Sequence, residues 1–139
     1  MAAPRNTVLV CLLGLALAGP APADASGWGR FEAPGAGDTV HAGDVAAVRW
    51  GSLPDGIDEF ELLLSVDGGA SFPIRLTPQL DPGVGEYRWL VPNLSAPRAR
   101  LRLRVGIDGH EIEGPVGPEF AIAASSRVPA AGLELVAGE

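Results

Sequence analysis

Apolar and polar residues alternate along several short stretches of this chain, which is the period-2 pattern of β-strands. The pattern is plainest over residues 59–72, where Phe60, Leu62 and Leu64 alternate with Glu59, Glu61 and Ser65. It predicts a half-buried strand with its polar positions outside, although Leu63 makes the outer face less polar. Asp67-Gly68-Gly69 then predicts a tight hairpin turn, because glycine accepts positive φ and Asp bonds turn backbone. A second strand with Phe72, Ile74 and Leu76 inward should follow.

Further short strands are expected over residues 31–34, 39–41, 45–50, 86–91, 98–107 and 111–123, the last interrupted at 114–118. Trp50 and Trp89 fall on inward faces. No stretch after residue 25 has helical periodicity, and 19 Gly and 13 Pro favour short elements. The pattern predicts an all-β fold, an antiparallel β-sandwich of about seven strands.

The first 25 residues have the three regions of a signal peptide. Arg5 precedes an apolar run over 8–18, and small residues and proline follow to Ala25. Cleavage is expected after Ala25, with Ala23 as the alternative. The apolar run is shorter than a membrane span requires, with an uncleaved anchor as the less favoured interpretation. The chain thus divides into a signal peptide (1–25), a sandwich domain (26–123) and a tail (124–139), and the mature protein is expected to be secreted or periplasmic.

The tail shows little pattern. Leu133, Leu135 and Val136 are compatible with a last small strand or with docking on the domain.

Charge and reactive side chains narrow the function classes. The net charge of −7 disfavours nucleic acid as a partner, since phosphate backbones attract basic surfaces. Cys11 is the single cysteine and lies in the signal peptide, so the mature chain has no thiolate. His41 and His110 are the only histidines, and a metal site that gathers His110 with Asp108, Glu111 and Glu113 is disfavoured, because zinc sites commonly use several His or Cys ligands. We expect no metal, no cofactor and no membrane span in the mature chain.

Several short sequence motifs occur in a recognisable order. They are Ala42-Gly43, Val48-Arg49-Trp50, Leu64-Ser65-Val66-Asp67-Gly68-Gly69, Tyr87-Arg88-Trp89-Leu90-Val91-Pro92 and Leu103-Arg104-Val105. This order resembles the fibronectin-III-like or immunoglobulin-like modules of bacterial exported proteins. It is also similar to the Ser/Thr-rich, Knh-type cell-wall modules of yeast. The resemblance covers roughly residues 30–123. It implies a β-sandwich with a non-catalytic binding or structural role.

One hairpin is similar to the Asp-box of sialidase-like propellers, through Ser65, Asp67, Gly69, Ser71 and Phe72. The resemblance implies that the acidic and hydroxyl side chains bond turn backbone while the aromatic ring packs beneath. Propellers need several copies, and a single copy indicates a structural turn.

Four arginines, Arg98, Arg100, Arg102 and Arg104, form a stripe on one face of the longest predicted strand. They favour either a cross-strand ladder with acids, because the strand of Glu59 and Glu61 should lie beside them, or an anion- or glycan-binding face. Trp28 precedes the first strand and is a candidate exposed aromatic that stacks on a sugar or a partner.

Taken together, these features predict an exported, non-catalytic binding or structural module that engages a cell-envelope protein or glycan. The alternative is a small secreted hydrolase that acts on polysaccharide through a pair of carboxylates, for which no spacing favours a particular pair.

Overall fold

The computed structural model describes residues 27–129 and 134–135, which contain ten β-strands and no helix. The predicted signal peptide, Cys11 and most of the tail's apolar residues lie outside the described residues. The strands are β1 (Phe31–Ala33), β2 (Thr39–His41), β3 (Val45–Trp50), β4 (Glu59–Ser65), β5 (Ile74–Arg75), β6 (Glu86–Leu90), β7 (Ala96–Ile107), β8 (His110–Val116), β9 (Phe120–Ala123) and β10 (Glu134–Leu135).

The strands form two sheets, and the prediction of an all-β fold is confirmed. The smaller sheet has the order β1-β3-β6 and is antiparallel throughout. The larger sheet has the order β10-β5-β4-β7-β9-β2, and β8 also pairs with β7. The prediction of about seven antiparallel strands was too simple. Four of the ten strands (β1, β2, β5 and β10) have only two or three residues, and β2 pairs with β9 in parallel.

Both sheets contribute to one hydrophobic core. Its members include Val48, Trp50 and Trp89 from the smaller sheet and Phe60, Leu62, Leu64, Leu101, Leu103 and Val105 from the larger one. The Trp50 ring meets the Phe60 ring edge-to-face, with 5.3 Å between centroids, and so joins β3 to β4. The inward positions predicted for Trp50 and Trp89 are confirmed, since both are buried. Burial of these large rings adds apolar contact area to the shared core.

Strand β4 is buried on both faces, and the prediction of a half-buried strand was wrong. Glu61 is only 3% exposed, and Leu63 and Ser65 are also buried on the face expected to be polar. The covering groups come from neighbouring strands, because Leu63 lies opposite Arg75 on β5 and Arg102 on β7. The alternation of residues along one strand does not show which side chains of the neighbouring strands cover its outer face.

The hairpin after β4 is confirmed, with a longer connection than a tight turn. Gly68 and Gly69 have φ of 77° and 96°, the left-handed region where glycine carries no Cβ penalty. The return strand β5 has only Ile74 and Arg75, so the connection covers residues 66–73. Phe72 lies outside the strand and is partly buried.

The tail is held in two places. Asn93 donates to the carbonyls of Ser125 (2.9 Å) and Val128 (2.5 Å) and accepts from the Ser125 amide. Further on, Glu134 and Leu135 pair with Arg75 and Ile74 of β5 in antiparallel register. A last small strand in the tail is therefore present, while Leu133 and Val136 lie outside the described residues.

Candidate functional site

A groove of about 580 Å³ opens where the N-terminal segment meets the end of β8. One wall comes from residues 27–36 and the other from residues 115–118. The lining residues in the described part of the chain are Gly27, Trp28, Arg30, Phe31, Gly35, Ala36, Pro115, Val116, Gly117 and Pro118. This volume lies within the range of ligand-binding clefts.

Backbone hydrogen bonds place the first wall. The amide of Gly29 donates to Ser52 (3.0 Å), and the carbonyl of Arg30 accepts from Gly51 (2.9 Å). Phe31 continues this pairing opposite Trp50, so the segment is an extension of the smaller sheet. Trp28 is partly buried and packs against the core, which corrects the prediction of an exposed ring. Its position at the groove wall still gives it a surface for a ligand.

Two glycines let the second wall approach the first. A Cβ on Gly117 would lie 3.0 Å from Phe31 Cγ, and a Cβ on Gly114 would lie 2.7 Å from the Leu103 carbonyl oxygen and 3.2 Å from the Trp28 ring. The Gly117 amide donates to the Leu101 carbonyl (2.7 Å), which ties this segment to β7. Larger residues at these positions would push the wall away from Trp28 and Phe31.

The groove is apolar with one cation. Arg30 is exposed, and no carboxylate of the described residues forms an ion pair with it. None of the described lining residues is Asp or Glu. A ligand with apolar surface and one anionic group fits this composition, because an unpaired guanidinium favours a carboxylate partner.

The arginine stripe is paired with acids along its length. Arg98 Nε lies 3.3 Å and Arg100 Nη2 lies 3.9 Å from Glu119 Oε2. Arg102 Nη1 lies 2.8 Å from Glu113 Oε2, and the Arg102 guanidinium lies 4.3 Å from the centroid of the Phe72 ring. The ion pairs correspond to the cross-strand ladder that was one of the two interpretations of this stripe.

Glu61 is the buried centre of this ladder. Arg104 donates to Glu61 Oε1, and Arg75 Nε lies 2.8 Å from Glu61 Oε2, an ion pair whose angle does not suit a hydrogen bond. Arg104 also reaches Glu111 at 3.4 Å. The expectation that the strand of Glu59 and Glu61 lies beside the stripe is confirmed, with Glu61 opposite Arg104. Glu59 lies opposite Gly106 and accepts from Gln79 instead (2.6 Å).

The Asp67 turn is closed by its own side chains. Ser65 Oγ donates to Asp67 Oδ1 (2.6 Å) and accepts from the Gly69 amide (2.8 Å), while the Ser71 hydroxyl and amide both donate to the Asp67 carboxylate. The hydrogen bonds from Ser65 and then Ser71 hold the pKa of Asp67 well below its usual range, because they favour the ionised form. These contacts belong to the turn itself.

Sequence reasoning missed the second wall of the groove and the Asn93 clamp. Residues 114–118 were expected only as an interruption of a strand. The available signal was their composition, because the two prolines lack a backbone donor and the two glycines lack a Cβ that would prevent close approach. Asn93 gives no local signal, because its partners are 32 to 35 residues away along the chain. A single sequence contains no local pattern from which such distant hydrogen-bond partners of one side-chain amide can be predicted.

The described ranges hold no group of three or more His, Cys, Asp or Glu residues placed to bind a metal ion. Within the same ranges no helix is long and apolar enough to cross a membrane. Searches against family models, curated proteins and solved structures found no match for this chain.

Proposed function

We propose that this chain is an exported, non-catalytic binding module that takes an extended peptide segment of a cell-envelope protein in the groove beside Trp28. The observation that carries the proposal is the composition of that groove: two aromatic rings, two prolines and one unpaired arginine. Aromatic-lined grooves accept extended peptide chains, which lose little conformational freedom on binding.

The same composition favours a peptide over a glycan. Among the described lining residues, only the Trp28 indole and the Arg30 guanidinium carry polar side-chain groups. A sugar has many hydroxyl groups, and each one buried without a partner opposes binding. A peptide with apolar side chains and one carboxylate leaves fewer polar groups unmatched. The hydrolase alternative has no support here, since the described lining residues of the groove include no carboxylate, whereas glycoside hydrolysis uses a pair of them.

The proposed architecture is an immunoglobulin-like or fibronectin-III-like β-sandwich. Two mostly antiparallel sheets that share one core support it. The predicted signal peptide at residues 1–25 supports export. The arginine stripe acts as an internal ladder in this proposal, because each of its members has an acidic partner.

The test is selection of peptides from a random displayed library with the chain that begins at Ser26, followed by titration of a selected peptide through tryptophan fluorescence. We expect selected sequences to combine apolar residues with an acidic one. Arg30→Glu should weaken binding of such a peptide by about tenfold or more. The substitution removes the guanidinium that pairs with the peptide's carboxylate and puts a second carboxylate in its place.

The control is Arg127→Glu, which makes the same charge change at an exposed arginine that does not line the groove. It should bind like the parent chain, and both variants should melt like it. Equal binding by Arg30→Glu, or retention on an array of envelope glycans with no peptide selected, would contradict the proposal.

A further inference from the structure

Strand β6 is the open edge of the smaller sheet. Among the strands that the structure describes, the order β1-β3-β6 gives β6 one partner. Trp50 donates to the Gly85 carbonyl and Val91 donates to the Asp44 carbonyl, so the odd-numbered positions from 85 to 91 direct their backbone groups to β3. In an antiparallel ladder the alternate residues direct their N–H and C=O groups the other way. Glu86, Arg88 and Leu90 therefore present unpaired backbone groups at the edge.

Exposed apolar side chains lie on this edge and beside it. Leu90 is 66% exposed, and Val45, directly opposite it on β3, is 53% exposed. Arg88 forms no ion pair with any described residue, although the arginines of the stripe are all paired. An open edge with exposed apolar residues is suited to pairing with another strand.

The order of acidic and basic residues along β6 favours a second copy of this chain as the partner. In an antiparallel pair with its two-fold axis at Tyr87, Glu86 faces Arg88 of the second copy and Arg88 faces Glu86. The same register brings Leu90 opposite Val84, which is partly buried in the single chain. With the axis at Arg88, two arginines would face each other, and like charges directly opposite destabilise a ladder.

We propose that the chain forms a symmetric dimer through antiparallel pairing of β6 with β6, in the register centred on Tyr87. The pairing joins two three-stranded sheets into one continuous sheet of six strands. Since β1 lies at the opposite edge of each smaller sheet, the Trp28 groove stays open in both copies. The dimer is then bivalent, which raises avidity for a partner with repeated segments.

Charge reversal tests the dimer and its register together. Sedimentation of the chain that begins at Ser26, from about 1 μM to about 1 mM, should show a monomer–dimer equilibrium. Glu86→Arg alone and Arg88→Glu alone should each raise the dimer dissociation constant by about tenfold or more, because each places like charges opposite one another. The double variant Glu86→Arg/Arg88→Glu restores the opposite charges and should dimerise like the parent chain.

Arg127→Glu is again the control for a change of net charge and should leave the equilibrium unchanged. A parent chain that stays monomeric at the highest concentration would overturn the proposal. So would single reversals that dimerise like the parent, or a folded double variant that does not recover. These outcomes are independent of peptide binding, since β6 contributes no residue to the groove.

Discussion

Glu61 is the residue on which the buried part of the arginine ladder depends. Its carboxylate is almost inaccessible and is shared between Arg75 and Arg104. Glu61→Gln keeps the shape but leaves the two guanidinium groups without an anion at this position. We expect a loss of about 3 kcal/mol in the free energy of unfolding, measured with urea, because removal of one partner from a buried ion pair is strongly destabilising.

Glu113→Gln is the matched comparison for Glu61. Glu113 also pairs with a stripe arginine, Arg102 at 2.8 Å, but its side chain is 70% exposed. Its replacement should cost less than about 1 kcal/mol, since exposed ion pairs contribute little. Equal losses for the two variants would show that burial does not set the strength of this ladder.

Asp67 predicts a pH dependence of stability. Because its pKa is depressed in the folded chain from an ordinary value of 3.8, its contribution is fully present above that value. The contribution is lost as the pH falls toward the folded pKa. Asp67→Asn cannot titrate, so its urea midpoint should fall less than that of the parent chain between about pH 5 and pH 2. Parallel pH profiles would exclude a role of Asp67 in acid sensitivity.

Among the elements, the segment 114–118 decides the shape of the groove. Gly117→Ala places a Cβ about 3 Å from the Phe31 ring, and the ring has to shift into the groove or the wall has to move away. We expect a loss of stability of about 1 to 3 kcal/mol, as for other overpacked sites, together with weaker peptide binding. Thermal melting and the fluorescence titration measure the two effects.

Gly85→Ala is the control for that substitution. Its added Cβ has no neighbour within 4 Å, and its φ is outside the left-handed region. The variant should be as stable as the parent chain or slightly more stable, because alanine restricts the unfolded chain. If Gly117→Ala behaves like Gly85→Ala, the close approach to Phe31 is not a constraint.

The connection from β9 to β10 depends on Asn93. Its side-chain amide makes three hydrogen bonds with the backbone of Ser125 and Val128. Asn93→Ala removes these bonds and should accelerate proteolytic cleavage after residue 124, while the strands of the core remain resistant. Limited proteolysis with mass spectrometry gives the cleavage sites. Cleavage at the parent rate would show that β10 alone holds the tail.

At the scale of the whole molecule, the N-terminal segment predicts export. Production of the full chain in a bacterial host should yield a periplasmic or secreted species that begins at Ser26, because small residues at positions 23 and 25 suit cleavage after Ala25. Intact mass and N-terminal sequencing identify the processed end. A product that begins at Asp24 would support the alternative site, and an unprocessed chain in the membrane would support an anchor.

The sequence was most informative where a structural cause is local. Alternation along β3, β4, β6 and β7 and glycines in the 66–73 connection indicated where strands run and where they turn, and Trp50 and Trp89 were assigned to the core correctly. It was less informative about strand length, since β5 has two residues where a longer strand was expected. A strand ends where the neighbouring strand no longer continues the backbone hydrogen bonds, and this depends on the neighbour.

The candidate site was only partly accessible to such reasoning. Trp28 was selected as an aromatic before the first strand, but Arg30 and Phe31 were not connected with it. The opposite wall comes from 115–118, more than eighty residues later, and approaches through Gly117. The stripe was identified correctly as a row of four arginines. Glu111, Glu113 and Glu119 became its partners only because the strands that follow β7 in the chain pair back onto it.

By itself, therefore, the sequence determined the all-β class and the positions of most strands, because each depends on neighbours one to four residues apart. It also determined the acidic net charge, which follows from composition alone. The tertiary structure alone decided that Glu61 is buried between Arg75 and Arg104, that β6 is an open edge and that a groove lies beside Trp28. These features arise from contacts between distant parts of the chain. Burial of a shared core brings those parts together, and no local pattern specifies which of them will meet.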